Sequence, residues 1–306
     1  MIMRNWLLKI YSLLLGLCLL SVFKVDAQNV SPDKLSIITY NIWNGFEGDM
    51  ARRAKFVSFL KTESPDIVSL NELVGFSEKD LTALAREYGH SYVAIVKEGG
   101  YPVGITSKYP ISVVTKQIDG FWHGMLHAKI LDLDCIVTHL SPFDWKFRLN
   151  EATQIVDYIV KNKLSRYIVM GDFNALSPLD MDILIQKDSL LLDSREWDKQ
   201  QKIYKNLRDG RFDFSVLSKF LSIGMEDVIG ISVQPAEARF TYPTAFLYKT
   251  DFDSLSVLSR RHRLDYILLS SSLMSCYKGS YIFNDQKGEG ISDHYPVKVE
   301  LEFILK

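Results

Sequence analysis

The chain is poor in cysteine, with three among 306 residues: Cys18, Cys135 and Cys276. Small secreted scaffolds held by disulfides are much richer in cysteine, so that class of protein is excluded. Cys18 lies in the apolar N-terminal segment, which leaves Cys135 and Cys276. Cys135 stands in the apolar run DCIVTHL, where a buried thiol and a bridge to Cys276 both fit the sequence.

The chain also lacks an excess of charge of either sign. Its 36 Lys and Arg residues nearly balance 37 Asp and Glu residues, for a formal net charge of −1. Proteins that grip nucleic acid without sequence preference usually present a basic surface. The composition therefore disfavours a dedicated polynucleotide binder, although a local basic groove remains compatible with it.

No linker rich in Pro, Gly or Ser, no internal repeat and no low-complexity tract divides the chain. Its length is large for one core but within the range of single-domain α/β folds. We therefore predict a single domain over residues 28–306.

The first 27 residues are typical of a secretory signal peptide. Arg4 and Lys9 precede an apolar run over residues 11–23, which Lys24 closes. A retained membrane anchor is the alternative, but the run is shorter than the roughly 20 residues that a spanning helix needs. Cleavage would remove three positive charges and one negative charge, leaving a formal net charge of −3. We expect a secreted or periplasmic protein with no stable membrane span, and a monomer.

Apolar periodicity predicts strands and helices in alternation. Residues 35–40 and 67–70 have strand composition, and between them an Asp49-capped helix should bury Ala54, Val57 and Leu60. A second helix should begin at a capping box formed by Ser77 and Asp80.

The middle of the chain changes pattern. Five strand-like segments between Tyr92 and Leu140 predict an antiparallel meander. A long helix follows and leads to a strand over residues 167–170. The apolar stripe of this helix consists of Leu149, Ala152, Val156, Ile159 and Val160. Strands on both flanks with helices between them predict two packed sheets covered by helices.

Glu72 is a candidate ligand for a hard divalent cation. It follows the apolar strand 67–70, so its carboxylate should emerge where that strand ends. Hydrolysis of a phosphoester needs such a cation, a group that orients or deprotonates water, and donors to the nonbridging oxygens. A surface glutamate in a turn is the simpler interpretation of Glu72 alone.

The motif GDFN at 171–174 is more specific. Residues two apart on an extended segment point the same way, so Asp172 and Asn174 should face one site. Asp172 could orient an attacking water, Asn174 could donate to a phosphoryl oxygen, and Gly171 would let the backbone come close. An Asx-rich turn is the alternative.

Asp265 stands inside the apolar strand RLDYILLS, where an unpaired carboxylate would be costly to bury. His294 in SDHYPV is a suitable partner, since a carboxylate would orient its imidazole and favour protonation. His294 would then be either a base that activates water or a cationic clamp on the phosphate. A purely structural Asp–His bond remains the alternative.

Three more histidines are candidates of different quality. His139 ends the strand in VTHLSP and could protonate a leaving oxygen. His123, beside Trp122, is a candidate for substrate contact. His127 has neither the cysteines nor the acidic motif of a zinc site beside it, so packing is the better interpretation. The charged stretch 195–211 is better explained as a solvated helical face than as a phosphate-binding surface.

Seven motifs in one order make the chain resemble the endonuclease/exonuclease/phosphatase superfamily, from residue 35 to the C-terminus. They are TYNIWNG, DIVSLNEL, GITSKYPI, THL, GDFNA, RLDYIL and SDHYPV. The resemblance implies a four-layer α/β/β/α sandwich of two mixed, largely antiparallel sheets flanked by helices, with the site at one edge of the sheets.

The resemblance also implies roles for individual residues. It implies Mg²⁺, or Mn²⁺ or Ca²⁺, at Glu72, with Asp293 as a second carboxylate on the metal side. Asn41 resembles the site asparagine of the superfamily, and His139 the histidine of its nuclease and sphingomyelinase branches. The remaining matches are the water and phosphate residues Asp172 and Asn174 and the pair of Asp265 with His294.

Two departures qualify the resemblance. Trp43 stands where apurinic endonucleases carry an acidic residue, which disfavours abasic-site repair, and Asn71 precedes Glu72 where most members have Gln. We expect a hydrolase of small-molecule or lipid-linked phosphoesters. The alternatives are a secreted nuclease, favoured if the basic residues of 195–211 and 260–263 converge on one groove, and a noncatalytic binding protein that retains the fold.

Overall fold

Two six-stranded sheets dominate the computed structural model, which describes residues 32–249 and 254–303. The strands are β1 Lys34–Asn41, β2 Ile67–Asn71, β3 Tyr92–Ile95, β4 Gly104–Ser107, β5 Ile111–Gln117, β6 Met125–Ile130, β7 Leu133–His139, β8 Tyr167–Asp172, β9 Met225–Asp227, β10 Asp265–Ser270, β11 Tyr277–Ile282 and β12 Val297–Glu302. The predicted signal peptide, residues 1–27, lies outside the described residues. None of the helices in the described ranges is long and apolar enough to cross a membrane.

Helices connect the strands and cover the sheets. The α-helices are α1 Met50–Glu63, α2 Glu78–Glu87, α3 Trp145–Lys161, α4 Met181–Leu184, α5 Asp188–Gln200, α6 Ser215–Leu221, α7 Val228–Ser232, α8 Ala245–Tyr248 and α9 Leu255–Leu258. Short 3₁₀ turns span Asn44–Gly48, Pro178–Asp180, Ala236–Ala238 and Ser271–Cys276. The Asp49 cap of α1 and the Ser77–Asp80 capping box of α2 are present as predicted.

Each sheet contains one parallel pair among antiparallel neighbours. The strand order is β11-β12-β1-β2-β4-β3 in the first sheet and β5-β6-β7-β8-β10-β9 in the second. The parallel pairs, β1 with β2 and β7 with β8, are joined by crossovers through α1 and α3. Parallel strands need such long connections, whereas tight turns suffice for antiparallel pairs.

Three apolar layers separate the four layers of secondary structure. Between the sheets, side chains such as Ile37 and Val299 of one sheet join the cluster that contains Val137 and Met170 of the other. One outer cluster packs the first sheet against α1 and α2, and the other packs the second sheet against α3 and α6. The predicted four-layer sandwich is confirmed.

The prediction of one antiparallel meander between Tyr92 and Leu140 is wrong, because its five strands are divided between the two sheets. β3 and β4 belong to the first sheet, and β5, β6 and β7 to the second. β4 already pairs with β2 on one side and β3 on the other, so it offers β5 no free edge. The chain therefore changes sheets between Ser107 and Ile111.

Two predicted core positions are also wrong. Ala54 of α1 is exposed, because Phe56, Val57, Phe59 and Leu60 turn the neighbouring face inward. Val160 of α3 is 59% exposed. The buried face of α3 instead includes two charged residues, Arg148 and Glu151.

Cys135 and Cys276 are both free thiols. Cys135 lies fully buried in the apolar layer between the sheets, whereas Cys276 is partly exposed. Of the two interpretations of Cys135, the buried thiol is the one observed.

Candidate active site

The register of the two parallel pairs brings the polar strand ends to one edge of the sandwich. Asn41 at the end of β1 pairs with Asn71 at the end of β2, and His139 of β7 pairs with Asp172 of β8. Asp265, the first residue of β10, lies opposite Asp172. The ends of β1, β2, β7 and β8 and the start of the antiparallel β10 meet at this edge, so five segments distant in sequence contribute to one site.

Asn71 joins the two sheets at this edge. Its amide Nδ2 donates to the Thr138 carbonyl at 2.8 Å, and its Oδ1 accepts the N–H of Asp172 at 3.2 Å. Sequence reasoning treated Asn71 only as a departure from the superfamily and missed this role. Its position beside Glu72 was a signal, but its partners lie on other strands.

Gly171 lets the backbone of β8 pass close to that of its neighbour β7 at the site. Its φ is +140°, and a Cβ placed there would collide with the carbonyl of Thr138. The prediction that glycine permits close backbone approach in GDFN is confirmed.

Glu72 is held on both carboxylate oxygens. Oε1 accepts from Asn41 Nδ2 at 3.1 Å, and Oε2 accepts the Asn44 N–H at 2.8 Å. The same Asn41 amide donates to Asp172 Oδ2 at 3.1 Å. Asn41 thus links the carboxylate predicted to bind metal with the one predicted to orient water.

The Asn44 N–H is aimed by an unusual backbone segment. Residues 43–47 all have positive φ, from 52° to 69°. The buried Arg52 fixes this segment by donating to the carbonyls of Ile42 and Trp43. The Trp43 ring lies 4.7 Å from the Arg52 guanidinium carbon, packed over it.

Asp265 and His294 form the predicted pair. Asp265 Oδ2 lies 2.8 Å from His294 Nδ1, and both side chains are buried. Burial by itself lowers the pKa of His294, but the carboxylates of Asp265, Asp293 and Asp172 outweigh it and hold that pKa well above 6.5. These carboxylates favour the protonated form of His294, whose Nε2 lies 3.7 Å from Asp172 Oδ2.

Asp172 lies at the centre of the arrangement. Burial raises its pKa to about 7, and the charge of His294 opposes that rise. It contacts Asn41 as well, and His139 Nε2 lies 3.5 Å from its Oδ2. A carboxylate near its pKa between two imidazoles can accept a proton and return it.

Asn174 lies at the site, but its backbone conformation differs from the predicted one. β8 ends at Asp172, and Asn174 has a left-handed φ of 47°. Its N–H donates to Asp172 Oδ1 at 2.8 Å and its Nδ2 to the Leu140 carbonyl at 3.1 Å. The expectation of an extended segment is wrong, but Asn174 still lines the same cavity as Asp172.

His123 and His139 stack on each other in this cavity. Their ring centroids are 4.2 Å apart with planes inclined by 21°. Burial lowers the pKa of both, His139 to about 3 and His123 to about 2. His139 is therefore neutral near pH 7, which favours hydrogen-bond donation over the acid role predicted for it. His127 lies elsewhere, bonded to Asp134 and Tyr158, so its packing role is confirmed.

The residues around Glu72 fit a divalent cation. Asp293 lines the same cavity, and burial together with the nearby charge of Glu72 raises its pKa to about 6. Two half-buried carboxylates that face one cavity suit a cation with oxygen ligands. A second possible group consists of Asp172, Asp265 and His294, whose ligand atoms lie within 4.8 Å of one another. There, however, His294 Nδ1 is already bound by Asp265.

The cavity has a volume of about 470 Å³ and extends beyond the predicted residues. Tyr242 lines it with its ring centroid 4.9 Å from that of His294. Sequence reasoning missed Tyr242, and also missed Arg148 and Glu151, which interrupt the buried face of α3 beneath the cavity wall.

The basic residues of 195–211 and 260–263 do not converge on the cavity in the described structure. Arg195, Lys199 and Lys205 line a separate surface groove. Arg263 is buried in ion pairs with Asp180 and Asp227. Arg148 is the only Lys or Arg among the described residues that line the cavity.

Residues 38–294 match the family model described as the Endonuclease/Exonuclease/phosphatase family. No individual curated protein sequence is significantly similar to the chain.

Solved structures share the fold at low sequence identity. An AP endonuclease from Archaeoglobus fulgidus is 21% identical, with a TM-score of 0.63 over 89% of this chain and 100% of the other. A 3′ phosphatase from Neisseria bound to a product DNA hairpin is 17% identical, with a TM-score of 0.63 over 88% and 100%. A 3′-5′ exonuclease from Neisseria meningitidis is 18% identical, with a TM-score of 0.61 over 88% and 100%.

Proposed function

This chain belongs to the endonuclease/exonuclease/phosphatase family, and we propose that it is a secreted, divalent-metal-dependent hydrolase of small or lipid-linked phosphoesters. One observation carries the proposal: Asn41 bonds Glu72 and Asp172 together, beside the Asp265–His294 pair, in one cavity. The predicted signal peptide supports secretion, and we propose a single monomeric domain over residues 28–306.

Glu72 and Asp293 would hold the cation, which we propose to be Mg²⁺, Mn²⁺ or Ca²⁺. Such an ion supplies charge stabilisation for the phosphoryl oxygens. The residues around the cation would activate the water and bind the phosphate. Asp172 orients and deprotonates the attacking water. Protonated His294, oriented by Asp265, binds a nonbridging oxygen.

The neutral residues at the cavity complete the set of donors. Asn41 and Asn174 supply amide N–H groups, the latter after exchanging its bond to the Leu140 carbonyl for the substrate. His139 donates an imidazole N–H towards the leaving oxygen, and His123 holds the His139 ring by stacking.

A secreted nuclease is the second candidate, because solved neighbours include proteins described as nucleases. A nuclease making 6–10 phosphate contacts would lose roughly 10³–10⁵ in affinity between 50 and 200 mM salt. Arg148 is the single Lys or Arg among the described residues that line the cavity, and it is itself buried, which argues against that many contacts. Steep salt dependence of DNA cleavage would favour the nuclease.

The test is hydrolysis by residues 28–306 with Mg²⁺ or Mn²⁺. The substrates are bis-p-nitrophenyl phosphate, p-nitrophenyl phosphate, plasmid DNA and sphingomyelin. We expect Glu72→Ala and His294→Ala each to lower kcat/KM by about 10²–10⁴, and EDTA to abolish turnover. Glu300→Ala, at an exposed position of β12, is the control. Turnover that persists in EDTA and in Glu72→Ala would refute the metal-dependent mechanism.

A further inference from the structure

Trp122 and Phe143 line one side of the catalytic cavity and form an aromatic wall together with Tyr204, which packs against both rings. Ring centroids are 5.5 Å apart for Trp122 and Phe143, 5.9 Å for Trp122 and Tyr204, and 6.4 Å for Phe143 and Tyr204. Phe147 supports Trp122 from behind, with an edge contact at 5.6 Å. Phe143 is 40% exposed and Tyr204 39%, so both side chains are accessible from solvent.

The wall is continuous with the reacting groups. Trp122 and Phe143 line the cavity that also contains Asp172 and His294. Trp122 directly precedes His123, which stacks on His139. A molecule with its phosphate at His139 and Asp172 therefore has the aromatic wall beside it.

Buried charges hold the wall's three segments in place. Glu151 of α3 accepts the Trp122 N–H at 2.7 Å on one oxygen and the Ser141 N–H at 2.8 Å on the other. Arg148, one turn earlier, donates to the Ser141 carbonyl and to Asn206 Oδ1, both at 2.9 Å. Trp122, Phe143 and Tyr204 each lie within two residues of one of these contacts. Such fixed backbone positions reduce the entropy lost on binding.

The charge around the cavity limits what can follow the phosphate. Four carboxylates, those of Glu72, Asp172, Asp213 and Asp293, line it against the single guanidinium of Arg148. A cation held by Glu72 and Asp293 would offset the negative charge of one phosphate group. Further phosphates of a polymer would find only Arg148 as a Lys or Arg partner among the lining residues described, and its guanidinium already donates to Ser141 and Asn206. An uncharged ring would instead find the wall.

We propose, building on the hydrolase function above, that the aromatic wall binds a planar ring of the substrate. The substrate is then a small phosphoester whose alcohol carries an aromatic ring, either a nucleobase or another aryl group. Edge and face contacts with three rings suit a planar π-system, and stacking of a base on an aromatic side chain is worth about 1–3 kcal/mol. Acyl chains lack that geometry.

The test compares ligands that differ only in the ring. Adenosine 5′-monophosphate and ribose 5-phosphate share the sugar and phosphate. Their dissociation constants can be measured by calorimetry with Mn²⁺ present on an Asp172→Asn protein, which lacks the proposed water-activating carboxylate and so does not hydrolyse them. Stacking of 1–3 kcal/mol predicts that adenosine 5′-monophosphate binds about 5–150-fold more tightly. We expect Phe143→Ala to reduce the ratio of the two dissociation constants to no more than the square root of its wild-type value.

Two further variants separate aromatic from merely apolar contact. Phe143→Leu keeps apolar area but removes the ring, so it should lose the preference as Phe143→Ala does. Tyr281→Ala removes a similarly exposed ring on β11, outside the catalytic cavity, and should keep the preference. Circular dichroism confirms that each variant is folded.

A second pair, benzyl phosphate and ethyl phosphate, distinguishes the sources of the ring. Preference for benzyl phosphate without preference for adenosine 5′-monophosphate supports the proposal with a non-nucleotide ester as substrate. Equal binding within both pairs overturns it. Sphingomyelin turnover that Phe143→Ala impairs and Phe143→Leu restores also overturns it, in favour of an acyl chain. Because binding is measured without turnover, failure of hydrolysis would count against the hydrolase function and leave this comparison valid.

Discussion

At the scale of single residues, Asp265 is the most constrained group of the site. It is fully buried, and its Oδ2 bonds His294 while its Oδ1 has no hydrogen-bond partner in the described structure. Its carboxylate charge is also the largest of the influences that raise the pKa of His294 against burial. Asp265 therefore both orients the His294 ring and contributes most to its protonation.

We predict that Asp265→Asn lowers kcat/KM by about 10²–10⁴. Without the carboxylate the pKa of His294 falls, so His294 loses its proton at a lower pH than in the wild type. Since the protonated form binds phosphate in our proposal, the alkaline limb of the pH–rate profile should shift to lower pH. The profile for bis-p-nitrophenyl phosphate tests this, with exposed Asp182→Asn as control. An unchanged alkaline limb would contradict the role of His294 as a cation.

Gly171 gives a stability prediction at the same scale. Because its φ is +140° and a Cβ would collide with a backbone carbonyl, Gly171→Ala should lower the free energy of unfolding by more than about 3 kcal/mol. Gly279→Ala is the matched control, since a Cβ there would meet no atom within 4 Å and its φ is outside the left-handed region. Urea unfolding measures both. Similar stability for the two variants would show that β7 and β8 can separate at low cost.

At the scale of elements, α3 holds two loops in place through hydrogen bonds from their backbones to Glu151. Glu151 accepts one backbone N–H on each carboxylate oxygen, and burial raises its pKa to about 7. We predict that Glu151→Gln costs about 1–3 kcal/mol of stability. The NH₂ group of the glutamine would face one of the two backbone N–H groups and could not accept its hydrogen bond. KM should rise more than kcat falls, since Glu151 touches no reacting group. Asp157→Asn, exposed on the same helix, should change neither quantity. A fall in kcat with unchanged KM would instead place Glu151 in the chemistry.

The elements also show what sequence could predict. Glu72, Asp172 and Asp265 are predictable because a polar residue within or at the end of an apolar strand is a local signal, and His294 is predictable as a partner for the carboxylate of Asp265. Asn71 and Glu151 are not, since each acts through backbone groups of another sheet or loop. The false meander has the same origin: strand composition identifies β3 to β7 but not which edge each strand meets.

At the scale of the whole molecule, stability should depend on buried neutral histidines. His90 is 1% exposed, and its two ring nitrogens bond Thr106 Oγ1 and the Pro65 carbonyl. Burial lowers its pKa below 6.5. As pH falls, His90 therefore binds a proton at higher pH in the unfolded chain than in the folded one. Protonation of His90 thus destabilises the fold as pH drops below about 6.5.

We predict that between pH 6.5 and 5 the wild type loses unfolding free energy relative to His90→Gln, by up to about 1.4 kcal/mol per pH unit. Urea titrations of both proteins at pH 7.5, 6.5 and 5 measure this difference. Parallel losses in the two proteins would mean that His90 accepts a proton without opening the fold.

The single buried thiol between the sheets makes the opening of the sandwich measurable in the native chain. Cys135 is fully buried, and burial raises its pKa far above the range in which thiols react readily, whereas Cys276 is partly exposed. A thiol reagent should therefore modify Cys276 at once and Cys135 only when the two sheets part. The slow phase of labelling would time that separation, and a ligand that spans both sheets at the active site should lengthen it.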